Sequence, residues 1–198
     1  MCSIPKTAAA ALVIAAAALS PGLAHAGVAA DKAAAAEALL QQPDHAMEAL
    51  QAFDEAIDAF WKTLPLTFRE VGFADAITGY GQYVPRAPAV FHPGDEVTIY
   101  VALAGYAFRR ITTGYRVDFS SAVQIRNTTG TIVARNDNVG GIVRDTTLEN
   151  HNFSDGVTVT LPYLKPGAYT LRLSLRDNQS AKLAAADLPF AVVPFDSP

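Results

Sequence analysis

The chain has 198 residues, a single cysteine (Cys2), and 15 basic against 19 acidic side chains, for a formal net charge of −4. That balance excludes the concentrated basic surface on which nucleic-acid binding depends. The length suffices for one domain of ordinary size with its own core, or one domain plus an appendage.

The first 26 residues decide the expected compartment. Lys6 is the only charge ahead of an apolar run from Ala8 to Leu19. Pro21 and Gly22 break that run, and Ala24-His25-Ala26 follows. These are the n-region, h-region and small-x-small cleavage site of a secretory signal peptide. The run is too short to cross a bilayer as a helix, which takes about 20 residues. Residues 1–26 are therefore expected to leave, with Gly27 as the new N-terminus of a periplasmic or secreted protein without a transmembrane segment. Losing Lys6 takes the net charge from −4 to −5. Cys2 leaves as well, so neither an internal disulfide nor a lipid anchor at the cleavage site is available. The body must be held by a conventional core. An Ala-rich leader on a disulfide-free body suits a bacterial periplasm.

Residues 27–67 read as an acidic helical segment. Ala33 to Leu40 are strong helix formers, either a helix or a frayed tail beside the cleavage site. Pro43 interrupts and suits the first turn of a second helix. Met47, Leu50, Phe53, Ile57, Phe60, Trp61 and Leu64 then recur at three- and four-residue steps, with Pro65 closing the helix. Val28 to Phe60 carries seven acids and one base, Lys32. So large an apolar stripe is expected to dock on the rest of the chain. Its acidic face would then lie near some of Arg109, Arg110, Arg116 and Arg126.

From residue 68 the period changes from 3.6 to 2. Val97, Ile99, Val101 and Leu103 alternate with polar or smaller neighbours. So do Tyr115 to Ile125, Val157 to Leu161, Tyr169 to Leu175 and Leu188 to Val192. Alternation of this kind marks half-buried strands. Turn residues separate them at Pro93-Gly94, Asn127 to Gly130, Asn138 to Gly141, Pro166-Gly167 and Asp177-Asn178. Seven or so short antiparallel strands predict a mainly β, two-sheet sandwich over residues 68–198. Ala134 to Asn152 is the longest stretch without clean alternation and reads as a mobile connection, either a binding loop or a loose hairpin.

Leu164-Lys165-Pro166-Gly167-Ala168-Tyr169 resembles the turn-into-strand segment of immunoglobulin-like and fibronectin-type modules. There a Leu-x-Pro-Gly turn precedes a tyrosine whose hydroxyl bonds back to the backbone. The resemblance implies an immunoglobulin-like antiparallel sandwich preceded by an amphipathic helix. It implies no activity.

Catalytic signatures are lacking: no Gly-x-Ser-x-Gly, no phosphate-cradling glycine loop with its lysine, no His-Glu-x-x-His. No catalytic residue is assigned and no cofactor is expected. His92 and His151 are the weak metal candidates, neither at a ligand spacing from another histidine. Arg86, Arg109, Arg110, Arg116 and Arg126 are interleaved with Tyr80, Tyr83, Tyr100, Tyr106 and Phe108. Arginine with aromatics is the composition that interaction surfaces favour, though ordinary wet strand faces carry it too. The leading expectation is a non-enzymatic exported module that binds an unknown protein or small molecule. The alternatives are a small-ligand carrier with its pocket between helix and sandwich, and an accessory enzyme with an unfamiliar site.

Overall fold

The computed structural model describes residues 27–195. The expected leader, residues 1–26, lies outside the described residues. Two helices, α1 (Val28–Leu40) and α2 (Ala46–Thr63), precede ten strands. One sheet has the order β2-β1-β4-β8, built from β1 (Thr67–Gly79), β2 (Gln82–Pro85), β4 (Glu96–Ala104) and β8 (Phe153–Thr160). The other runs β3-β10-β9-β6-β5, from β3 (Val90–Phe91), β5 (Arg109–Ile111), β6 (Gly114–Asn127), β9 (Gly167–Asp177) and β10 (Leu183–Val192). A final strand, β7 (Ile132–Thr146), also pairs with β6.

The alternating residues face a single core between the sheets. Val97, Ile99, Val101 and Leu103 of β4 meet Phe119 and Ile125 of β6 and Leu171, Leu173 and Leu175 of β9 there. Tyr169, expected inside, is half-buried and donates its hydroxyl to the Lys165 carbonyl at 2.9 Å. Among the described residues pairing is antiparallel with one exception: β3 runs parallel to β10.

Three expectations are corrected. Ala134 to Asn152 is no mobile connection, because most of it is β7, registered on β6 from Ile132 to Thr146. Its backbone is held by the ladder while both of its faces stay largely wet, so no apolar alternation is needed. Asn136 and Asn138 each accept the amide N–H two residues ahead, local Asx bonds made within the strand. Strand β4 is not half-buried either. Tyr100 and Ala102 on its outer face are covered, Tyr100 by the ring of Tyr83, stacked at 4.1 Å. Pro43 falls in the connecting turn, two residues ahead of the His45 N-cap, and α2 begins only at Ala46.

The helices form an antiparallel hairpin through alanine. Ala36 of α1 and Ala49 and Ala56 of α2 are buried, which lets the two backbones approach closely. Lys32 of α1 pairs with Glu55 of α2 across the hairpin.

Candidate functional site

The docking expected of the stripe holds only at its C-terminal end. Trp61 and Leu64 pack on the core of the sheets and the rest of the stripe does not. Exposure along it runs from 40% at Ile57 to 73% at Met47, with Leu50, Phe53 and Phe60 between, whereas Trp61 is 5% exposed. Helix α2 meets the sheets through its last two turns and otherwise packs on α1. The hairpin is therefore an arm attached by one end.

The attachment is a built socket. Trp61 enters the core cluster, and its indole N–H donates to the Tyr106 carbonyl at 2.8 Å. The ring meets Tyr106 edge-on at 5.1 Å and lies 4.2 Å from His151, with the Arg69 guanidinium 5.5 Å from its centroid. Lys182 places its ammonium on the carbonyls of Lys62, Leu64 and Gly105, at 3.3, 2.6 and 2.8 Å. A cation there answers the negative end of the helix dipole and its unpaired carbonyls. Gly105, at φ +76°, lets Pro65 cross its Cα: a Cβ would stand 2.2 Å from the Pro65 carbonyl oxygen. Buried Asp177 braces the next segment by accepting the Ala107 and Gln179 amides and the Ser180 hydroxyl.

The exposed stripe forms one wall of a groove whose other wall is α1. Near its open end it is lined by Val28, Ala33, Phe53, Ile57 and Phe60. Further along it is lined by Ala36, Glu37, Leu40, Leu50 and Phe53, so Phe53 belongs to both halves. Val28 to Thr63 holds seven acids against Lys32 and Lys62, a net −5. Glu55 is held below the usual carboxylate range by its hydrogen bond from Lys32. The cavity at the junction of arm and sheets, lined by Asp58, Trp61, Tyr106, Phe108, Glu149 and His151, measures only about 120 Å³. Ligand pockets span roughly 300–1,000 Å³, several times this volume.

The arginine and tyrosine candidates do not form one surface. Tyr80, Tyr83 and Tyr100 belong to the β1–β2 hairpin and β4, in the smaller sheet. Tyr100 is fully buried and takes the Gly81 amide on its hydroxyl at 2.8 Å, so it presents nothing to a partner. The Tyr83 hydroxyl donates to Glu70, and that bond pushes its pKa up to about 12. Tyr80 accepts from Arg69 at 3.1 Å. Arg86 clamps Asp75 and the Val90 carbonyl, with its guanidinium over the Phe91 ring at 4.6 Å. Arg109, Arg110, Arg116 and Arg126 lie on β5 and β6 of the other sheet. Arg116 is paired with Asp145, whose carboxyl it holds below the usual range. Arg110 lies against the Tyr115 ring and Arg126 bonds Gln124. Among the described residues, no acid of α2 pairs with these four arginines.

The two histidines are also apart. His92, stacked on Phe195 and 3.5 Å from Asp95, precedes β4, while His151 sits 3.5 Å from Asp58 beside the socket that follows β4. Among the described residues no group of three or more His, Cys, Asp or Glu side chains is placed to hold a metal. Nor is any described helix long and apolar enough to cross a membrane. The socket residues Lys182 and Arg69 carry no signal in the sequence, and Asp177 was legible only as a turn residue.

No protein-family model matches the chain, and no curated protein matches it. Among solved structures, a family 123 glycoside hydrolase from Clostridium perfringens aligns at 13% identity over 55% of this chain and 23% of its own, TM-score 0.36. The alkylpurine DNA glycosylase AlkC of Pseudomonas fluorescens, bound to DNA with an abasic site analog, aligns at 9% identity over 81% and 42%, TM-score 0.35. The CARDB domain of a Pyrococcus furiosus protein, in complex with di-metal ions, aligns at 15% identity over 64% and 90%, TM-score 0.30. The chain spans less than half the length of the first two. At these scores the likenesses carry no argument about this protein.

Proposed function

We propose that this chain is an exported, non-enzymatic interaction module: an immunoglobulin-like body that presents a helical arm to a protein partner in the periplasm. One observation carries the reading. A stripe of five large apolar side chains stands in water on an arm whose base is fixed in the core by Trp61 and Lys182. Exposed apolar patches of this kind mark interaction sites in soluble proteins. A socket at the base holds the patch in place, which lowers the ordering cost of binding.

The immunoglobulin-like assignment is supported by connectivity. Strands β1, β4 and β8 neighbour one another in one sheet, and β10, β9, β6 and β7 in the other. The Tyr169 hydroxyl bonds back to the Lys165 carbonyl, as in a tyrosine corner. The export half of the proposal is tested by N-terminal sequencing of the protein from its native cells. Gly27 is the expected first residue, and a retained Met1 would overturn it. The interaction half is tested by placing a photo-crosslinking residue at Phe53, at Phe60, or at Ser174 on the sheet. A discrete adduct is expected from the two arm positions alone, and equal labelling at Ser174 would refute the arm as the binding element.

A further inference from the structure

The geometry points to the kind of partner the arm takes: we infer that the α1–α2 groove receives a cationic amphipathic helix, with apolar anchors flanked by Lys or Arg. This rests on the arm being the binding element and goes on to name the chemistry that fills it.

The shape comes from the stripe. Met47 to Phe60 covers about 20 Å of α2 at 1.5 Å per residue, the length of a helix of roughly four turns. Most of the stripe and α1 bound two adjoining open apolar cavities that share Phe53, rather than one closed pocket. A helix laid along them buries anchors at i, i+3 or i+4, and i+7. An extended strand would need a free sheet edge to bond its backbone, and neither wall of this groove offers one.

The charge comes from the borders. Glu37 lines the groove on the α1 side, and Asp54, one residue past Phe53 and three before Ile57, borders the stripe on the other. Neither pairs with a base among the described residues. The arm as a whole carries −5. Two copies packed stripe to stripe would bring two such arms together, and an anionic lipid surface would repel one. A helix with Lys or Arg beside its anchors is attracted instead, and the attraction also speeds encounter.

The test uses the purified exported protein and fluorescence anisotropy of labelled synthetic helices of about 14 residues. They share Leu anchors at helical spacing and differ in their flanks: Lys in one, Gln in the other. The Lys peptide is expected to bind about tenfold tighter at low salt, with the gap closing as salt screens the flanks. The double variant Phe53→Asp/Ile57→Asp separates docking from plain electrostatics, because it removes two anchors while adding negative charge. Binding of the Lys peptide should fall by about tenfold or more. Purely electrostatic attachment would tighten, and that result overturns the proposal. Glu37→Gln/Asp54→Asn should lower affinity for the Lys peptide by several fold and leave the Gln peptide unchanged. Equal binding of both peptides by the unaltered protein overturns the cationic partner and leaves the arm standing as the binding element. Failure of both peptides overturns the groove as a helix receptor. Sedimentation showing a dimer abolished by Ile57→Asp would assign the groove to a second copy and overturn the proposal.

Discussion

Phe60 and Trp61 are adjacent aromatics on one helical stripe, yet they should respond to truncation in opposite ways. Phe60 is 57% exposed and Trp61 5% exposed. Trp61→Ala removes a ring packed on Tyr106 and His151 and leaves the Tyr106 carbonyl without its donor. Large-to-small changes at buried aromatics cost about 3–5 kcal/mol. Trp61→Phe keeps most of the packing and loses the hydrogen bond, so its expected cost is about 1–2 kcal/mol. Phe60→Ala removes a side chain that already faces water and should cost about 0.5 kcal/mol or less. The assay is urea unfolding followed by far-UV circular dichroism, since Trp61 is the only tryptophan and cannot report on its own removal. In the unaltered protein its emission should be blue-shifted and should redden at the same urea midpoint as the sheet signal. Equal losses for Phe60→Ala and Trp61→Ala, or native emission like that of free indole, would show that the socket is wrongly placed.

The same titration separates other pairs. Gly81 and Gly105 both have positive φ, but a Cβ at Gly81 meets nothing within 4 Å while one at Gly105 overlaps the Pro65 carbonyl. Gly81→Ala should cost about 1–2 kcal/mol, the strain of that backbone alone. Gly105→Ala should cost clearly more, and matching values would refute the close crossing. Leu171→Ala should lose about 2–5 kcal/mol, and Arg172→Ala, which breaks a partly exposed pair with Asp187, under about 1 kcal/mol. Similar losses would mean the register of β9 is wrong. In an ultraviolet titration Tyr83 should ionise near 12, and Glu70→Ala should return it toward the ordinary value near 10. Because the folded pKa is the higher one, the stability linked to Tyr83 is complete below about pH 10 and is lost as pH rises toward 12.

The strands that line the core were legible because their alternation has one cause, a dry face against a wet one. Val97 to Leu103, Tyr115 to Ile125 and Tyr169 to Leu175 all obey it. Strand β1 did not announce itself. A register shift between Phe68 and Glu70 breaks its period, and Phe73 and Ala74 are buried side by side on opposite faces. Strand β7 was hidden for the reverse reason, since backbone pairing rather than side-chain burial holds it. The stripe on α2 was legible as a face, but periodicity says which residues share a face and not what covers them. Charge asymmetry suggested an internal partner among the arginines. Of those arginines, Arg116 instead pairs with Asp145, Arg110 lies on the Tyr115 ring and Arg126 bonds Gln124. The socket combines residues as far apart in sequence as Trp61 and Lys182, and no local pattern could bring them together.

An arm that touches its body through only its final turns divides the labour of the sequence. Substitutions at the exposed Met47, Leu50, Phe53 or Ile57 alter the outward face without disturbing any side chain between the sheets, so they are judged by recognition alone. Changes at Trp61, Gly105 or Lys182 are judged by folding first. Partner preference in this architecture can therefore drift or be redesigned at little cost to the scaffold. A library randomised at Leu50, Phe53 and Ile57 should retain the folded body in nearly every member while its binding preferences diverge.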